Sequence, residues 1–154
     1  MSAPVPWLDA FLAGESSLTP TQHALVLALG TRHYEEDRFG EAADLFRLAA
    51  LDRPQSSRAW FSLASCHEAV DDTTRAASLY RLALAAPEDD GGHARARLYL
   101  ARLLANQGSP GEAEAVLEPL SPDERAELAD DPDLGSILEQ VERRPPRRAV
   151  GGLR

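Results

Sequence analysis

The sequence predicts an all-α fold of repeated helix pairs, and three observations carry that prediction. The first is composition: 44% of the residues are A, V, I, L, M, F, W, Y or C but only 6% are aromatic. An interior drawn from alanine and leucine favours helices over strands. The second is a period. Displacing the chain by 34 residues lays DLFRLAAL from Asp44 over SLYRLALA from Ser78, with Leu29 on Leu63, Gly30 on Ala64, His33 on His67, Asp37 on Asp71, Ala42 on Ala76, Phe46 on Tyr80 and Ala49 on Ala83. A displacement of 37 continues the series with Leu63 on Leu100, Ala64 on Ala101, Ala76 on Ala113, Leu79 on Val116 and Tyr80 on Leu117. The three extra residues fall in the polar run EDDGGH, where a loop absorbs them. The third observation is size, because 154 residues suffice for one domain with a modest core.

A period of 34 with this pattern resembles the tetratricopeptide repeat. Gly30, Ala64 and Ala101 are small where the first helix of each repeat approaches the second, and Ala42, Ala76 and Ala113 face them. Phe46, Tyr80 and Leu117 are the large wedges beyond, and Pro54 and Pro87 stand where second helices must stop. The expected architecture is a short right-handed solenoid of three helix-turn-helix repeats, 23–56, 57–90 and 94–127. The third is the least regular, with Leu120 in place of a small residue and no terminating proline. An N-terminal helix and linker, 1–22, precede the repeats, with Trp7, Leu8, Phe11 and Leu12 at one-turn spacing. A capping helix at 128–143 and a disordered basic tail at 144–154 complete the chain. Ser121 and Glu124 of SPDE, and the run DDPD from Asp130, mark helix starts.

Charge restricts the partners. All 16 cations are arginine, five of them in the last twelve residues, so 1–142 carry 11 arginines against 25 acids, a net −14, and the tail carries +5. An acidic body repels phosphate backbones, which leaves nucleic acid an unexpected partner. No stretch approaches a bilayer span, and the N-terminus lacks the basic start and long apolar run of a signal peptide. The single cysteine, Cys66, cannot form an intrachain disulfide. A cytoplasmic chain without membrane insertion is the expectation.

In stacked helix pairs the first helices line the inner wall of the curve, so their second stripe faces a groove. That stripe reads Ala24, Leu27, Thr31, Tyr34, then Arg58, Phe61, Ser65, Glu68, then Arg95, Leu98, Arg102, Ala105. It lies about 130° around the helical wheel from the core stripe of Val26, Leu29, Gly30 and His33. The candidate peptide-binding residues are Leu27, Thr31, Tyr34, Phe61, Ser65, Glu68, Leu98 and Arg102. Their apolar members need cover, supplied by neighbouring helices, a dimer partner or a ligand peptide. The carboxylate clamp by which other repeat domains grip acidic chaperone C-termini is missing: its positions hold Leu27, Thr31, Ser65, Arg95 and Tyr99, and the chain has no lysine. A mixed apolar and polar groove suits an extended segment with spaced hydrophobic anchors.

The run LDRPQSSRAWFSLASCHEAVDDTTRAASLYRLAL, followed by ARLLANQGSPGEAEAVL, is similar to the class II chaperones of type III secretion. The likeness covers about residues 5 to 142. It includes the Ser57-Arg58 opening, the cysteine of Ala64-Ser65-Cys66 and the layout of the flanks. It implies a chaperone that holds an extended N-terminal anchor of a hydrophobic translocator in its concave groove until export. Tyr34 then matches a groove aromatic, with Leu27, Phe61 and Leu98 as pockets, while Thr31 departs from the larger apolar residue usual there. It also makes Trp7, Leu8 and Phe11 candidate homodimer contacts, beside the alternative that they pack on the first repeat. A general repeat adaptor in a cytoplasmic complex remains the other reading.

No motif carries catalysis, a metal or a cofactor. The four histidines make no HExxH or i, i+4 pair, and His33 and His67 share a repeat position that reads as core. Cys66 and His67 are adjacent on a helix and point to different faces. The acid pairs Asp71-Asp72 and Asp130-Asp131 read as caps.

Overall fold

The computed structural model describes Gly14 and residues 17–143. The expected N-terminal helix, with Trp7, Leu8 and Phe11, and the basic tail 144–154 lie outside the described residues. Among the described residues the chain forms eight helices: α1 (Pro20–Glu35), α2 (Phe39–Asp52), α3 (Ser57–Ala69), α4 (Thr73–Ala85), α5 (His93–Asn106), α6 (Pro110–Leu117), α7 (Pro122–Asp130) and α8 (Pro132–Glu142).

Local chemistry sets the helix starts. Thr19 and Gln22 form a reciprocal capping box ahead of α1, as Ser121 and Glu124 do ahead of α7, each with proline in the first turn. Asp131 caps α8 by accepting from the amides of Asp133 and Leu134, and Asp72 caps α4 through the Arg75 amide. The turns within repeats share one device: Asp37, Asp71 and Gly108 all adopt left-handed backbone, with φ of 59°, 63° and 87°. Aspartate is among the few side chains that visit this region readily. The three positions are related by the same displacements that relate the repeats.

α1 touches α3, and α3 touches α5, whereas α2 and α4 do not meet among the described residues. The first helices of the repeats therefore form the inner layer and the second helices the outer one. The small and large positions close each pair: Ala42, Ala64, Ala76, Ala101 and Ala113 are buried, and Phe46, Tyr80 and Leu117 wedge between helices. At Gly30 a Cβ would lie 2.6 Å from the Phe46 ring. Trp60 packs against all three buried clusters while its indole N–H donates to the Pro54 carbonyl at 2.8 Å.

Several details depart from the periodic expectation. α1 begins at Pro20, ahead of residue 23, and both expected helix starts, at Ser121 and in the run from Asp130, form, so that 122–142 folds as two short helices, the first running through the expected 127/128 boundary between repeat three and the cap. Leu29 is 39% exposed, although its counterparts Leu63 and Leu100 are buried. Those two face the preceding repeat, and no described helix precedes α1. His33 and His67 are only half-buried and stand at the turns rather than in the core. His33 Nδ1 lies 3.3 Å from Glu41, and His67 Nδ1 lies 3.5 Å from Asp72.

Replacing Gly30 by alanine should cost about 1–3 kcal/mol through collision with Phe46. Gly111→Ala, whose Cβ meets nothing within 4 Å, should instead stabilise by about 0.5 kcal/mol. Urea denaturation of both variants beside the wild type measures the contrast.

Candidate functional site: the concave cleft

The inner layer faces a cleft of about 670 Å³. One wall comes from the first helices of the repeats, with Thr31 of α1, Arg58, Phe61 and Ser62 of α3, and Ala94 and Arg95 of α5. Facing it, α7 and α8 contribute Glu124, Glu127, Leu128, Asp131 and Leu134. The loop between α4 and α5 closes one end with Asp89, Asp90 and Gly91.

That loop is anchored by a clip between repeat junctions. Ser56 and Glu88 form an isolated parallel bridge, with Ser57 N–H donating to Glu88 at 3.1 Å and Glu88 N–H to Gln55 at 3.0 Å. The Asp90 carboxylate accepts from the hydroxyls of Ser56 at 2.5 Å and Ser57 at 3.0 Å and from the Arg58 amide at 2.8 Å. Burial pushes the Asp90 pKa up, but hydrogen bonds from Ser56, Arg58 and Ser57 outweigh it and hold the carboxyl below its ordinary value. Gly92 is obligatory here, because a Cβ would stand 2.5 Å from the Ser57 hydroxyl and 2.7 Å from its backbone carbon.

Deeper along the inner wall lies an aromatic cluster. The Phe61 ring is 5.3 Å from Tyr99, edge to face, and 5.7 Å from Tyr80, and the two tyrosines are 5.9 Å apart. Such spacings are attractive beyond simple burial. Tyr80 donates its phenol proton to Glu68 Oε2 at 2.6 Å, and Arg102 donates to Glu68 Oε1. The same guanidinium sits 4.6 Å over the Tyr99 ring. Burial raises the pKa of Tyr80, as do the charge and hydrogen bond of Glu68, and burial likewise raises those of Tyr34 and Tyr99. All three phenols therefore keep their protons at neutral pH, and the wall offers rings and hydroxyls beside a carboxylate and a guanidinium that neutralise each other.

The residues singled out in the sequence fall in three groups. Thr31 and Phe61 line the cleft, Thr31 exposed with its hydroxyl donating to the Leu27 carbonyl at 2.9 Å. Ser65, Glu68 and Arg102 belong to the polar network around Tyr80; Ser65 donates to the Phe61 carbonyl at 3.1 Å, and its hydroxyl lies 3.4 Å from that of Tyr80. Tyr34 is 36% exposed and packs edge-on to Phe39 at 5.2 Å. Leu27 is half-buried between two core clusters. Leu98 is a correction: it is fully buried, in the same cluster as Leu128, Leu134 and Leu138 of the two last helices. α7 and α8 pack on α5 and cover this position, so it cannot serve as an open pocket. Sequence reasoning also missed the opposite wall. Its signal was Leu128 and Leu134, which a cap reading assigns wholly to packing although both also reach the cleft.

Nothing in this site resembles a reactive centre. Burial pushes the Cys66 thiol up to about 12, which leaves it protonated and inert. Among the described residues no cluster of histidine, cysteine and acids could hold a metal, and no helix is long and apolar enough to cross a membrane.

The clip makes a pH prediction. Asp90→Asn should cost about 1–2 kcal/mol near neutral pH by weakening three hydrogen bonds to a charged acceptor. A carboxyl whose pKa is depressed by folding stabilises above its unfolded value, near 3.8, and loses that contribution as pH falls through its lower folded value. Urea midpoints of wild type and variant should therefore converge as pH is lowered below 3.8.

Comparison with known proteins agrees with this geometry. No curated protein sequence matches the chain. Among solved structures, the Yersinia enterocolitica type III secretion chaperone SycD in complex with a peptide of the translocator YopD superposes with a TM-score of 0.65 at 20% identity, covering 82% of this chain and 97% of that one. PcrH in complex with the chaperone binding region of PopD gives 0.63 at 18%, covering 81% and 89%. A type III secretion complex from Aeromonas hydrophila gives 0.63 at 19%, covering 90% and 91%. At such identities the likeness speaks for the fold. Two tetratricopeptide-repeat models match, one over residues 27–92 and the other over 69–140, and the chain carries tetratricopeptide repeats in a fold shared with the solved type III secretion translocator chaperones.

Proposed function

We propose that the chain is a non-catalytic cytoplasmic chaperone whose concave cleft holds an extended segment of a hydrophobic type III secretion translocator, keeping it soluble before export. The observation that carries this reading is the cleft itself, set in a fold shared along most of its length with chaperones solved in complex with translocator segments. Phe61 gives the cleft apolar surface, Leu128 and Leu134 reach it only by the edges of otherwise buried side chains, and the hydroxyls and carboxylates around them can meet the backbone of an extended peptide. Long hydrophobic segments left uncovered aggregate, and a groove that takes even one short anchor keeps the client bound by a chaperone. The site residues proposed for contact are Thr31 and Phe61 directly, with Leu27, Tyr34, Ser65, Glu68 and Arg102 shaping the inner wall. A homodimer through Trp7, Leu8 and Phe11 belongs to the same reading.

The test is affinity purification of the tagged chain from its host under secretion-inducing conditions. Thr31→Arg fills the cleft from an exposed position, and Arg81→Glu on the exposed surface of α4 serves as control. A stoichiometric partner with long hydrophobic segments, reduced at least about tenfold by Thr31→Arg, as loss of one central contact predicts, and unchanged by Arg81→Glu, supports the proposal. Polar partners only, or equal capture by folded Thr31→Arg, would overturn the chaperone and the cleft assignments respectively.

A further inference from the structure

Among the described residues, Arg58, Arg81 and Arg95 are the only arginines whose side chains have no partner; the others pair with a carboxylate or, for Arg97, donate to the Val116 carbonyl. Residues 1–142 carry 11 arginines against 25 acids, so a guanidinium left without a carboxylate is the exception in this chain. Arg81 stands exposed on the outer helix α4, whereas Arg58 and Arg95 are exposed and line the concave cleft.

The two occupy one position of the repeat. Displacement by 37 lays Arg58 on Arg95, in the first turns of α3 and α5, where the first repeat has Ala24. Phe61 follows Arg58 by three residues and Tyr99 follows Arg95 by four, each one helical turn on along the same face. Those two rings meet edge to face at 5.3 Å. Both cations are therefore carried one turn, about 5.4 Å, from a shared apolar contact. The acids of the cleft are mostly engaged elsewhere. Asp90 is held by the clip, Asp89 accepts from the amides of Gly91 and His93, Glu124 from that of Ser121, and Asp131 from those of Asp133 and Leu134. The inner wall is left with two unmet positive charges beside an exposed ring edge.

We propose that Arg58 and Arg95 together receive the carboxylate of an acidic side chain in the bound segment, two residues from the apolar side chain that rests on Phe61. In an extended chain, side chains two residues apart share a face at about 6.7 Å, close to the one-turn offset of Arg58 from Phe61. Guanidinium forks match the geometry of a carboxylate. The acids that line the same cleft repel a dianion more than a monoanion, which selects carboxylate over phosphate. The inference rests on the proposed function and adds to it a requirement on the client, an acid next to its apolar anchor.

The test is fluorescence anisotropy of the full chain with labelled, end-blocked decapeptides that carry two leucines at alternate positions and, two residues on, aspartate, asparagine, arginine or phosphoserine. Wild type should bind the aspartate peptide about tenfold tighter than the asparagine peptide, as a charge-assisted contact predicts, with the advantage shrinking at high salt. Arg58→Gln/Arg95→Gln should bring that ratio to about one, while Arg81→Gln leaves it unchanged. Arg58→Glu/Arg95→Glu should favour the arginine peptide instead, and unchanged urea midpoints show that the variants are folded. Equal binding of the aspartate and asparagine peptides by wild type, or a preference that survives Arg58→Gln/Arg95→Gln, would overturn the arginine site. Tighter binding of the phosphoserine peptide, or no binding at millimolar peptide, would do the same. None of these results bears on capture of a client from the host, by which the chaperone reading is judged, so the two can fail separately.

Discussion

The close approach of the two helices within each repeat is the constraint on which the rest of this structure depends. Gly30 against Phe46, Ala64 with Tyr80, and Ala101 with Leu117 set how near the helices come. Because the large partner always sits on the outer helix, successive inner helices pack on one another while successive outer helices stand apart. Curvature, and with it a concave surface, is therefore a consequence of side-chain size at six positions. The three left-handed turn residues keep the connection between paired helices short and of one shape, so the same crossing recurs down the chain.

Much of this was legible beforehand because steric constraints recur with the period. A residue that must be small, or must be a wedge, leaves the same mark in each copy, and the capping box at Ser121 is a local signature needing no tertiary context. What periodicity could not supply is the behaviour of the ends. Leu29 occupies a core position in the repeat frame yet stands partly in water, since the repeat that would cover it is absent from the described chain. Leu98 fails in the opposite sense: the frame puts it on the groove, but α7 and α8 fold over it.

The same end effect explains why only part of the site was readable. The inner wall follows the repeat, so Thr31 and Phe61 could be placed from their register alone. The facing wall comes from helices outside the repeat, and their residues have no counterpart from which a position could be inferred. Pairings within the wall were hidden as well. Glu68 and Arg102 each look like an available charge in one dimension, and only folding brings them to the same carboxylate–guanidinium contact beneath Tyr80.

That contact bears on what the inner wall can distinguish in anything laid against it. With Glu68 already satisfied by a phenol proton and a guanidinium, this stretch of wall has no unmet charge with which to demand a matching one. A charge of either sign set opposite it would gain little, whereas the width of an apolar group would be met directly by the ring of Phe61, which lines the cleft and is itself backed by Tyr99. This stretch of wall therefore discriminates by silhouette more than by sign.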